Sequence, residues 1–312
     1  MSSSLKKYFG IFQNFGPVFT TRLFLYKFLG NDDAVNILIE NKLYSLYSNI
    51  LDFNGNKEID AEPCAWTFWW QGEDSMPDIV KICYRSQLKY VRDAGVRFHL
   101  LTKDNISEFI EIPKFILDKV NKGIITLTHL SDIIRILLLE KYGGMWLDST
   151  LLFTKPINTN YLKYDFFSVK LDPDIYKPIG FGQKLTCCKW AGFILSTSKK
   201  HSYIFSFLKE TILEYWNTHT SLIDYFLMNR LIKLVYNRND LCRRLIDDVP
   251  YTNDHLYLLK DHLNSKYEEE AYNKVNKNTL CFKLSYKMEL NTTINCELTN
   301  YGYLYQSYIK DL

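Results

Sequence analysis

The clearest hydrophobic pattern of the chain lies near its middle, in residues 128–142. Thr128 or Ser131 can act as an N-cap, and twelve residues without glycine or proline follow, which predicts a helix. At 100° per residue the apolar side chains fall on nearly every side, so this helix is expected to be mostly buried. These side chains are Ile133, Ile134, Ile136, Leu137, Leu138 and Leu139.

A short apolar strand is predicted directly after this helix. Gly143-Gly144 ends the helical pattern, and Met145–Leu147 reads as a buried strand with Asp148 at its carboxyl end. Ligands of α/β folds bind outside the carboxyl ends of the strands. Asp148 is therefore a candidate site residue.

Two charged residues interrupt the apolar helix. Asp132 and Arg135 are three positions apart and share one face of it. A lone buried charge is costly, so each of them needs a partner. Either they pair only with each other, in a structural role, or they also bind a ligand at the strand end.

Strands and helices alternate on both sides of this segment. Trp66–Trp70 and Val96–Leu101 are predicted strands, and Pro77 begins a helix between them. Strand, helix, strand, helix and strand in about eighty residues indicate a nucleotide-binding α/β unit with a mostly parallel sheet. The predicted elements after it are strands at Phe166–Lys170 and Gly192–Ser196 and helices at His201–Trp216, Ser221–Tyr236 and around Leu241–Asp247.

The beginning of the chain contains only helical patterns, which we assign to a helical appendage of residues 1–56 before an α/β domain of residues 57–312. Residues 5–29 either dock on that domain or lie on an anionic membrane surface. The apolar arc of the first helix consists of Leu5, Tyr8, Phe9, Ile11, Phe12 and Phe15, and the basic residues of the region are Lys6, Lys7, Arg22 and Lys27.

Composition restricts the class of protein further. With 312 residues, 47% of them hydrophobic, the chain can bury one large core. The net charge of +3, without a basic run interleaved with aromatics, argues against nucleic-acid binding. No apolar run approaches the ~18 residues of a membrane-spanning helix. The seven cysteines are odd in number and lack zinc-site spacing, so reduced thiols of a cytosolic protein fit them best.

Three motifs in this order resemble those of glycosyltransferases with the GT-A fold. They are Trp66–Gly72, a segment Ser-Asp-x-x-Arg…Tyr-Gly-Gly…Asp from Ser131 to Asp148, and Tyr301–Tyr303. The chain is most similar to bacterial capsular polysaccharide synthesis proteins related to glycosyltransferase family 32. The resemblance covers the chain from about Trp66 onward and implies a GT-A-like (Rossmann-like), mostly parallel sheet flanked by helices.

The resemblance also implies roles for particular residues. Asp132 and Arg135 would bind the hydroxyls of the donor sugar and stabilise the departing phosphate. Asp148 and Asp224 would be the other catalytic residues, with Asp224 lying near the sugar. The implied donor-binding residues, of which the first stacks on uracil, are Trp69, Thr102, Asn105, Ser131, Trp146, Thr150 and Tyr303.

One position departs from the wider family pattern. Asp148 matches the first acid of an Asp-x-Asp motif, whose acids hold a divalent cation against the leaving diphosphate. Thr150 stands where the second acid would be, so one anionic ligand is missing. The resemblance still implies Mn²⁺ or Mg²⁺ at Asp148, with diphosphate oxygens, water and a C-terminal group as further ligands.

The implied function is transfer of a hexose from UDP-galactose or UDP-glucose to a lipid-linked oligosaccharide, with retention of the α configuration, in capsule or surface polysaccharide synthesis. Such an enzyme would be cytoplasmic and peripheral at the inner face of the cell membrane. The alternative is a non-catalytic subunit that holds a nucleotide sugar or a glycan in an assembly complex. A cytidylyl- or phosphotransferase would need a Gly-rich phosphate loop, which the sequence lacks.

Overall fold

The computed structural model describes residues 3–51, 57–174, 181–253, 255–277 and 279–310. Most buried apolar residues belong to one large hydrophobic cluster, and a smaller cluster lies beneath the C-terminal helix. The expected boundary between an appendage and a domain adjoins the undescribed residues 52–56, and this division stays a prediction.

The helices occupy both the beginning of the chain and the segments between strands. The α-helices are α1 (Ser3–Phe15), α2 (Pro17–Phe28), α3 (Asp32–Leu51), α4 (Asp78–Asp93), α5 (Lys114–Asn121), α6 (Leu127–Tyr142), α7 (Phe181–Thr186), α8 (Tyr203–Thr218), α9 (Leu227–Arg238), α10 (Asp240–Asp247), α11 (Leu258–Asp261), α12 (Glu269–Asn276) and α13 (Asn300–Tyr305). Short 3₁₀ turns lie at Glu73–Ser75, Ile106–Glu108 and Thr159–Lys163, and a π turn lies at Gln306–Lys310.

The strands are short, and several are only two residues long. They are β1 (Ile59–Asp60), β2 (Cys64–Phe68), β3 (Arg97–Leu101), β4 (Gly144–Leu147), β5 (Leu151–Phe153), β6 (Phe167–Ser168), β7 (Ile194–Thr197), β8 (Lys199–Lys200), β9 (Cys281–Lys283), β10 (Thr293–Ile294) and β11 (Glu297–Leu298). The predicted central strands are therefore present, with ends shifted by a few residues.

A five-stranded sheet with the order β3-β2-β4-β7-β6 lies at the centre of the fold. β2 pairs in parallel with β3 and β4, whereas β7 pairs antiparallel with both β4 and β6. The expectation of a mostly parallel sheet is thus corrected, because this sheet is mixed, and the GT-A-like fold stays a prediction. Parallel neighbours need a long crossover, which α4 and α6 provide around β3. Among the described residues, no comparably long helix lies between β4 and β7, and β7 runs antiparallel to both of its neighbours, whereas β6 runs in the direction of β4.

The three parallel strands end at one edge of the sheet. In the register, Trp66 of β2 lies opposite His99 of β3 and Trp146 of β4. The residues that follow these strands therefore share that edge. Asp148 follows β4 there, as the sequence predicts.

Helix α6 packs beneath the sheet and is buried almost all round, as its pattern predicts. Its apolar residues from Ile133 to Leu139 are at most 8% exposed. Its N-cap is Thr126 rather than Thr128 or Ser131, since the Thr126 side chain accepts a hydrogen bond from the backbone N–H of His129. The helix therefore begins at Leu127, before both of the predicted N-cap residues.

A small second sheet links the middle of the chain to its C-terminal part. β5 and β9 pair antiparallel, with Leu151 opposite Lys283. The sequence patterns do not predict the strand β9. This pairing places residue 283 beside the residues that follow β4.

The N-terminal helices contribute to the large core. On α3 the buried residues Val35, Ile39, Leu43 and Tyr47 repeat every fourth position, so one face of this helix packs inward. Helix α3 contacts α8 and α9, and the buried face of α1 packs on the same part of the protein through Phe15, whose ring stacks on His219 at 4.8 Å. None of the described helices is long and apolar enough to cross a membrane.

Candidate functional site

Asp148 lies in a turn that several hydrogen bonds hold in place. Its backbone N–H donates to the carbonyl of Phe193 at 2.9 Å. The side-chain amide of Gln87, on α4, donates to the carbonyls of Asp148 and Leu151 at 2.9 and 2.8 Å. Gln87 is fully buried, so it fixes the turn from beneath. The position of the carboxylate is thereby determined by the packing of α4 against β4 and β5.

The carboxylate of Asp148 accepts hydrogen bonds from three side chains. Its Oδ1 accepts from Arg135 Nη2 at 3.0 Å and from Trp146 Nε1 at 2.9 Å. Its Oδ2 accepts from Lys283 Nζ at 2.9 Å. Hydrogen bonds between ionised groups are the strong ones, and both oxygens take part in one. The carboxylate is therefore held between two cations.

Arg135 connects the helix α6 to the strand end. One of its nitrogens, Nη1, lies 3.4 Å from Asp132 Oδ1 and donates to the carbonyl of Gly192. The other, Nη2, donates to Ser131 Oγ at 3.3 Å as well as to Asp148, and the guanidinium lies 5.0 Å from the centre of the Trp146 ring. Arg135 thus pairs with Asp132, as the structural interpretation expects, and it also contacts Asp148 at the strand end, where the other interpretation expects a ligand.

Lys283 completes the cluster from the C-terminal part of the chain. Its Nζ donates to Thr150 Oγ1 at 2.6 Å in addition to Asp148, and it lies 4.8 Å from the centre of the Phe193 ring. The sequence analysis does not include Lys283. The available signal is a single cation in the apolar run Leu280–Leu284, comparable to Arg135 in its apolar helix. Gln87 has a similar signal, because it is a polar residue on the inner face of an amphipathic helix.

The two acids of the cluster differ in their pKa. Burial raises the pKa of Asp132 to about 6, although the charge of Arg135 opposes this effect. Burial acts the same way on Asp148, but the charges of Lys283 and Arg135 outweigh it and hold the pKa of that carboxyl below its usual value. Asp148 is therefore an anion at neutral pH, and Asp132 gains a proton in mildly acidic solution.

The residues around Asp148 do not fit a divalent cation as they stand. Mn²⁺ and Mg²⁺ prefer several oxygen ligands, and carboxylates foremost. Here both oxygens of Asp148 and the hydroxyl of Thr150 accept hydrogen bonds from cationic side chains or from Trp146. No group of three or more His, Cys, Asp or Glu residues suited to a metal lies in the described part of the chain. The expected metal at Asp148 stays a prediction.

The residues expected at the base and ribose lie at the ends of β2 and β3. Trp69 follows β2, its ring N–H donates to Ser75 Oγ at 3.1 Å, and its ring meets that of Tyr286 edge-on at 5.8 Å. Thr102 and Asn105 follow β3 and are joined by a hydrogen bond from Thr102 N to Asn105 Oδ1 at 2.8 Å. These three residues share the sheet edge with Asp148, as expected for parallel strands.

Two expected site residues lie in other surroundings. Asp224 is buried and pairs with Arg230 at 2.9 Å, and Arg230 also donates to Asn36 of α3 at 2.6 Å. This ion pair ties the segment before α9 to the N-terminal helices. Tyr303 stacks on Tyr267 with ring centres 4.0 Å apart and lines a cavity of about 860 Å³ between α4 and the C-terminal helices. Asp224 and Tyr303 thus have partners outside the cluster. The structure brings together the other expected residues around the end of β4, which are Asp132, Arg135, Ser131, Trp146, Asp148 and Thr150.

Comparisons with known proteins relate the chain to one family and to two individual proteins. The sequence model of a family described as capsular polysaccharide synthesis protein matches residues 27–304. A curated relative, the O-glycosyltransferase PaGT of Phomopsis amygdali, is 27% identical over 127 residues, which are 38% of this chain and 29% of that protein. Among solved structures, the PaToxG glycosyltransferase is 11% identical with a TM-score of 0.37, over 78% of this chain and 92% of that one.

Proposed function

The chain belongs to the capsular polysaccharide synthesis protein family, and on this basis we propose that it is a glycosyltransferase that takes a hexose from a UDP-sugar. UDP-galactose and UDP-glucose are the proposed donors, and they differ at one hydroxyl whose hydrogen bond decides between them. The proposed acceptor is a lipid-linked oligosaccharide of a surface polysaccharide.

The observation that carries this proposal is the charged cluster at the end of β4. Transfer from a nucleotide sugar needs cations where negative charge develops on the diphosphate, and acceptors for the hydroxyls of the sugar. Arg135 and Lys283 supply two cations on opposite sides of Asp148, and Asp132 lies beside Arg135. Buried, preformed charges of both signs at one strand end favour a role in this chemistry over a purely structural role.

In the proposed reaction an acceptor hydroxyl attacks C1 of the donor sugar. The new bond forms between C1 and the hydroxyl oxygen, while the bond from C1 to the diphosphate breaks and its electron pair stays on UDP. The proton of the hydroxyl passes to the departing diphosphate. Attack on the face that the diphosphate leaves retains the α configuration. Arg135 and Lys283 stabilise the charge of the leaving group, and Trp69, Thr102 and Asn105 hold the base and ribose.

A peripheral position at the membrane would bring the protein to a lipid-linked acceptor. The hairpin of α1 and α2 supports this position, because one side is buried in the protein and the other exposes large apolar side chains. The exposed residues are Leu5, Phe9, Phe12, Val18, Phe24, Leu25, Phe28 and Leu29. Lys6, Lys7 and Arg22 are also exposed, and residues 3–31 contain no acid, so the surface complements an anionic bilayer.

Release of UDP tests the proposed activity. The purified protein is incubated with UDP-galactose, UDP-glucose and other UDP-sugars, with and without Mn²⁺, and free UDP is measured against time. We expect UDP release from one donor, faster with an oligosaccharide acceptor, and its loss in the variant Arg135→Gln. Binding of a UDP-sugar without any release of UDP would instead identify a non-catalytic subunit and contradict the proposal.

A further inference from the structure

We propose that the ammonium group of Lys283 takes the place of a divalent cation in this site, so that the protein binds the diphosphate of its donor without a metal. This inference rests on the proposed function, since it concerns the donor of that reaction. It reverses the expectation that Asp148 is a metal ligand.

The position of the ammonium carries the first part of the argument. Lys283 Nζ lies 2.9 Å from Asp148 Oδ2 and 2.6 Å from Thr150 Oγ1. These are the side chains at the first and third positions of the Asp-x-Asp pattern, whose acids would share a cation. Here a threonine replaces the second acid, and a lysine from β9 supplies a cation between the two side chains. The negative charge that is missing at Thr150 and the positive charge that Lys283 adds therefore lie side by side.

The charge balance carries the second part. A metal ligated by Asp148 Oδ2 would lie ~2.1 Å from that oxygen. Lys283 Nζ lies 2.9 Å from the same oxygen, so the two cations would be at most about 5 Å apart, where they repel strongly in a partly buried site. With Asp132, Arg135, Asp148 and Lys283 the cluster already has two charges of each sign. A divalent cation added to this balanced cluster would leave it with excess positive charge.

The third part of the argument is that the ammonium group of Lys283 has a hydrogen-bond donor left for a ligand. An ammonium group has three N–H donors, and the contacts with Asp148 and Thr150 use two of them. The Lys283 side chain is 20% exposed, so a phosphate oxygen can reach it. Lysine binds phosphate as a compact point charge, and the planar Arg135 beyond Asp148 adds a second cation. Lys283 and Arg135 together supply the positive charge that a metal would otherwise supply to the diphosphate.

Binding of UDP, measured by isothermal titration calorimetry, tests this inference on the unmodified protein. Titrations are run in EDTA and in Mn²⁺, and thermal melting is recorded in both buffers. We expect the dissociation constant of UDP to differ by less than threefold between the two buffers. A requirement for Mn²⁺, or a gain in affinity of tenfold or more with it, would overturn the inference.

Two lysine variants separate the role of Lys283 from a general loss of charge. Lys283→Met keeps an unbranched side chain in β9 and is expected to weaken UDP binding at least tenfold at an unchanged melting temperature. The control Lys266→Met removes a lysine that pairs with Glu297 at 2.7 Å outside the cluster, and it should bind UDP as the unmodified protein does. Equal affinities of the two variants would contradict a role for Lys283.

A double variant restores the acid that the chain lacks. Lys283→Met combined with Thr150→Asp removes the ammonium and adds a second carboxylate, so UDP binding should recover only when Mn²⁺ is present. Recovery of UDP binding without Mn²⁺ would overturn the proposal that the ammonium of Lys283 takes the place of a metal. Absence of UDP binding by the unmodified protein in either buffer would overturn this inference together with the donor class. UDP binding without turnover of any UDP-sugar would refute the proposed activity alone.

Discussion

A single carboxylate organises the charges of the candidate site. Asp148 is the common acceptor for Arg135, Trp146 and Lys283, and it keeps two cations within hydrogen-bond distance of one group. The effect of Asp148 on Arg135 and Lys283 therefore depends on the charge of the carboxylate as well as on its shape. Substitutions at this residue can separate the effect of charge from that of shape.

The variant Asp148→Asn is expected to lose at least tenfold in kcat/KM for sugar transfer. Asparagine keeps the size of the side chain and an oxygen for Trp146 but removes the charge that orders Arg135 and Lys283. The control Asp60→Asn breaks a surface ion pair with Lys199 and should change neither activity nor stability. Retention of more than about a tenth of the activity, ~1.4 kcal/mol or less of barrier, would contradict the role of this carboxylate.

The raised pKa of Asp132 predicts an acidic limb in the pH profile. Burial raises this pKa to about 6, so the carboxylate becomes protonated below that pH. In its proposed role, it could then no longer accept hydrogen bonds from sugar hydroxyls at both oxygens. We expect kcat/KM to fall as the pH drops through about 6. Asp132→Asn should have low activity without this limb. An unchanged limb in the variant would assign it to another group.

Thermal melting gives an independent check on Asp132. The native carboxyl binds its proton more tightly than that of an unfolded chain, so ionisation of Asp132 opposes folding. This effect is fully present above about pH 6 and disappears as the pH falls toward the ordinary pKa of an aspartate. Asp132→Asn should therefore raise the melting temperature more at pH 7.5 than at pH 4.

The sequence predicts three of the four charged residues of the cluster and misses the fourth, Lys283. Asp132, Arg135 and Asp148 lie within seventeen residues, where the helical period and the strand end place them on one side of the sheet. Lys283 is 135 positions from Asp148, on a strand of three residues. Three residues are too few for an alternating pattern, and only the tertiary pairing of β9 with β5 brings this lysine into the site.

At the level of elements, the junction between α6 and β4 determines where the cluster lies. The chain turns there with a φ of +81° at Gly144, and an added Cβ would lie 2.4 Å from the carbonyl oxygen of Cys64 in β2. This close approach accompanies the parallel pairing of β4 with β2. Only glycine combines the left-handed conformation with so little space.

Gly144→Ala should therefore lower the melting temperature strongly and reduce the yield of soluble protein. The matched control is Gly123→Ala, because Gly123 has a φ of +68° but no atom within 4 Å of an added Cβ. The control variant therefore has the cost of a positive φ at a non-glycine residue, ~1–2 kcal/mol, without a clash between the added Cβ and a neighbouring strand. Equal melting temperatures of the two variants would show that strand pairing at Gly144 tolerates a side chain.

The mixed sheet shows that sequence patterns predict strands but do not always determine their direction. The alternation of strands and helices up to β4 correctly predicts parallel strands, because α4 and α6 are long enough to cross over. β7, the one reversed strand of this sheet, reads equally well as a parallel strand, since its residues are buried in either direction. Direction depends on the connection, and the segment between β4 and β7 has no pattern that determines it.

At the level of the whole molecule, the helices α1 and α2 present two different faces. Ile11 is fully buried and Phe15 is 8% exposed, whereas Phe9 and Phe12 are 53% and 47% exposed. The apolar arc predicted from the sequence is therefore divided between the protein core and the surface. Lys27 also belongs to the inner side, because it is half-buried and burial lowers its pKa.

The double variant Phe9→Ser/Phe12→Ser is expected to bind anionic liposomes more weakly at an unchanged melting temperature. Both rings are exposed and would insert into the bilayer interface, while each nearby basic residue adds about 1 kcal/mol. The measurement is sedimentation with vesicles of phosphatidylglycerol, and transfer to a soluble acceptor should persist. Ile11→Ser is the control, and it should lower the melting temperature. A fall in melting temperature with liposome binding intact in the double variant would assign these rings to the core.

The pairing of β9 with β5 has a consequence for synthesis on the ribosome. All five strands of the central sheet precede residue 198, so they leave the ribosome and can begin to pair before β9 has been translated. Lys283 arrives much later, and until then Asp148 and Arg135 form an incomplete site. A nascent or prematurely terminated chain would contain the central sheet but lack the second cation. Only a polypeptide translated through β9 would contain both cations of the candidate site.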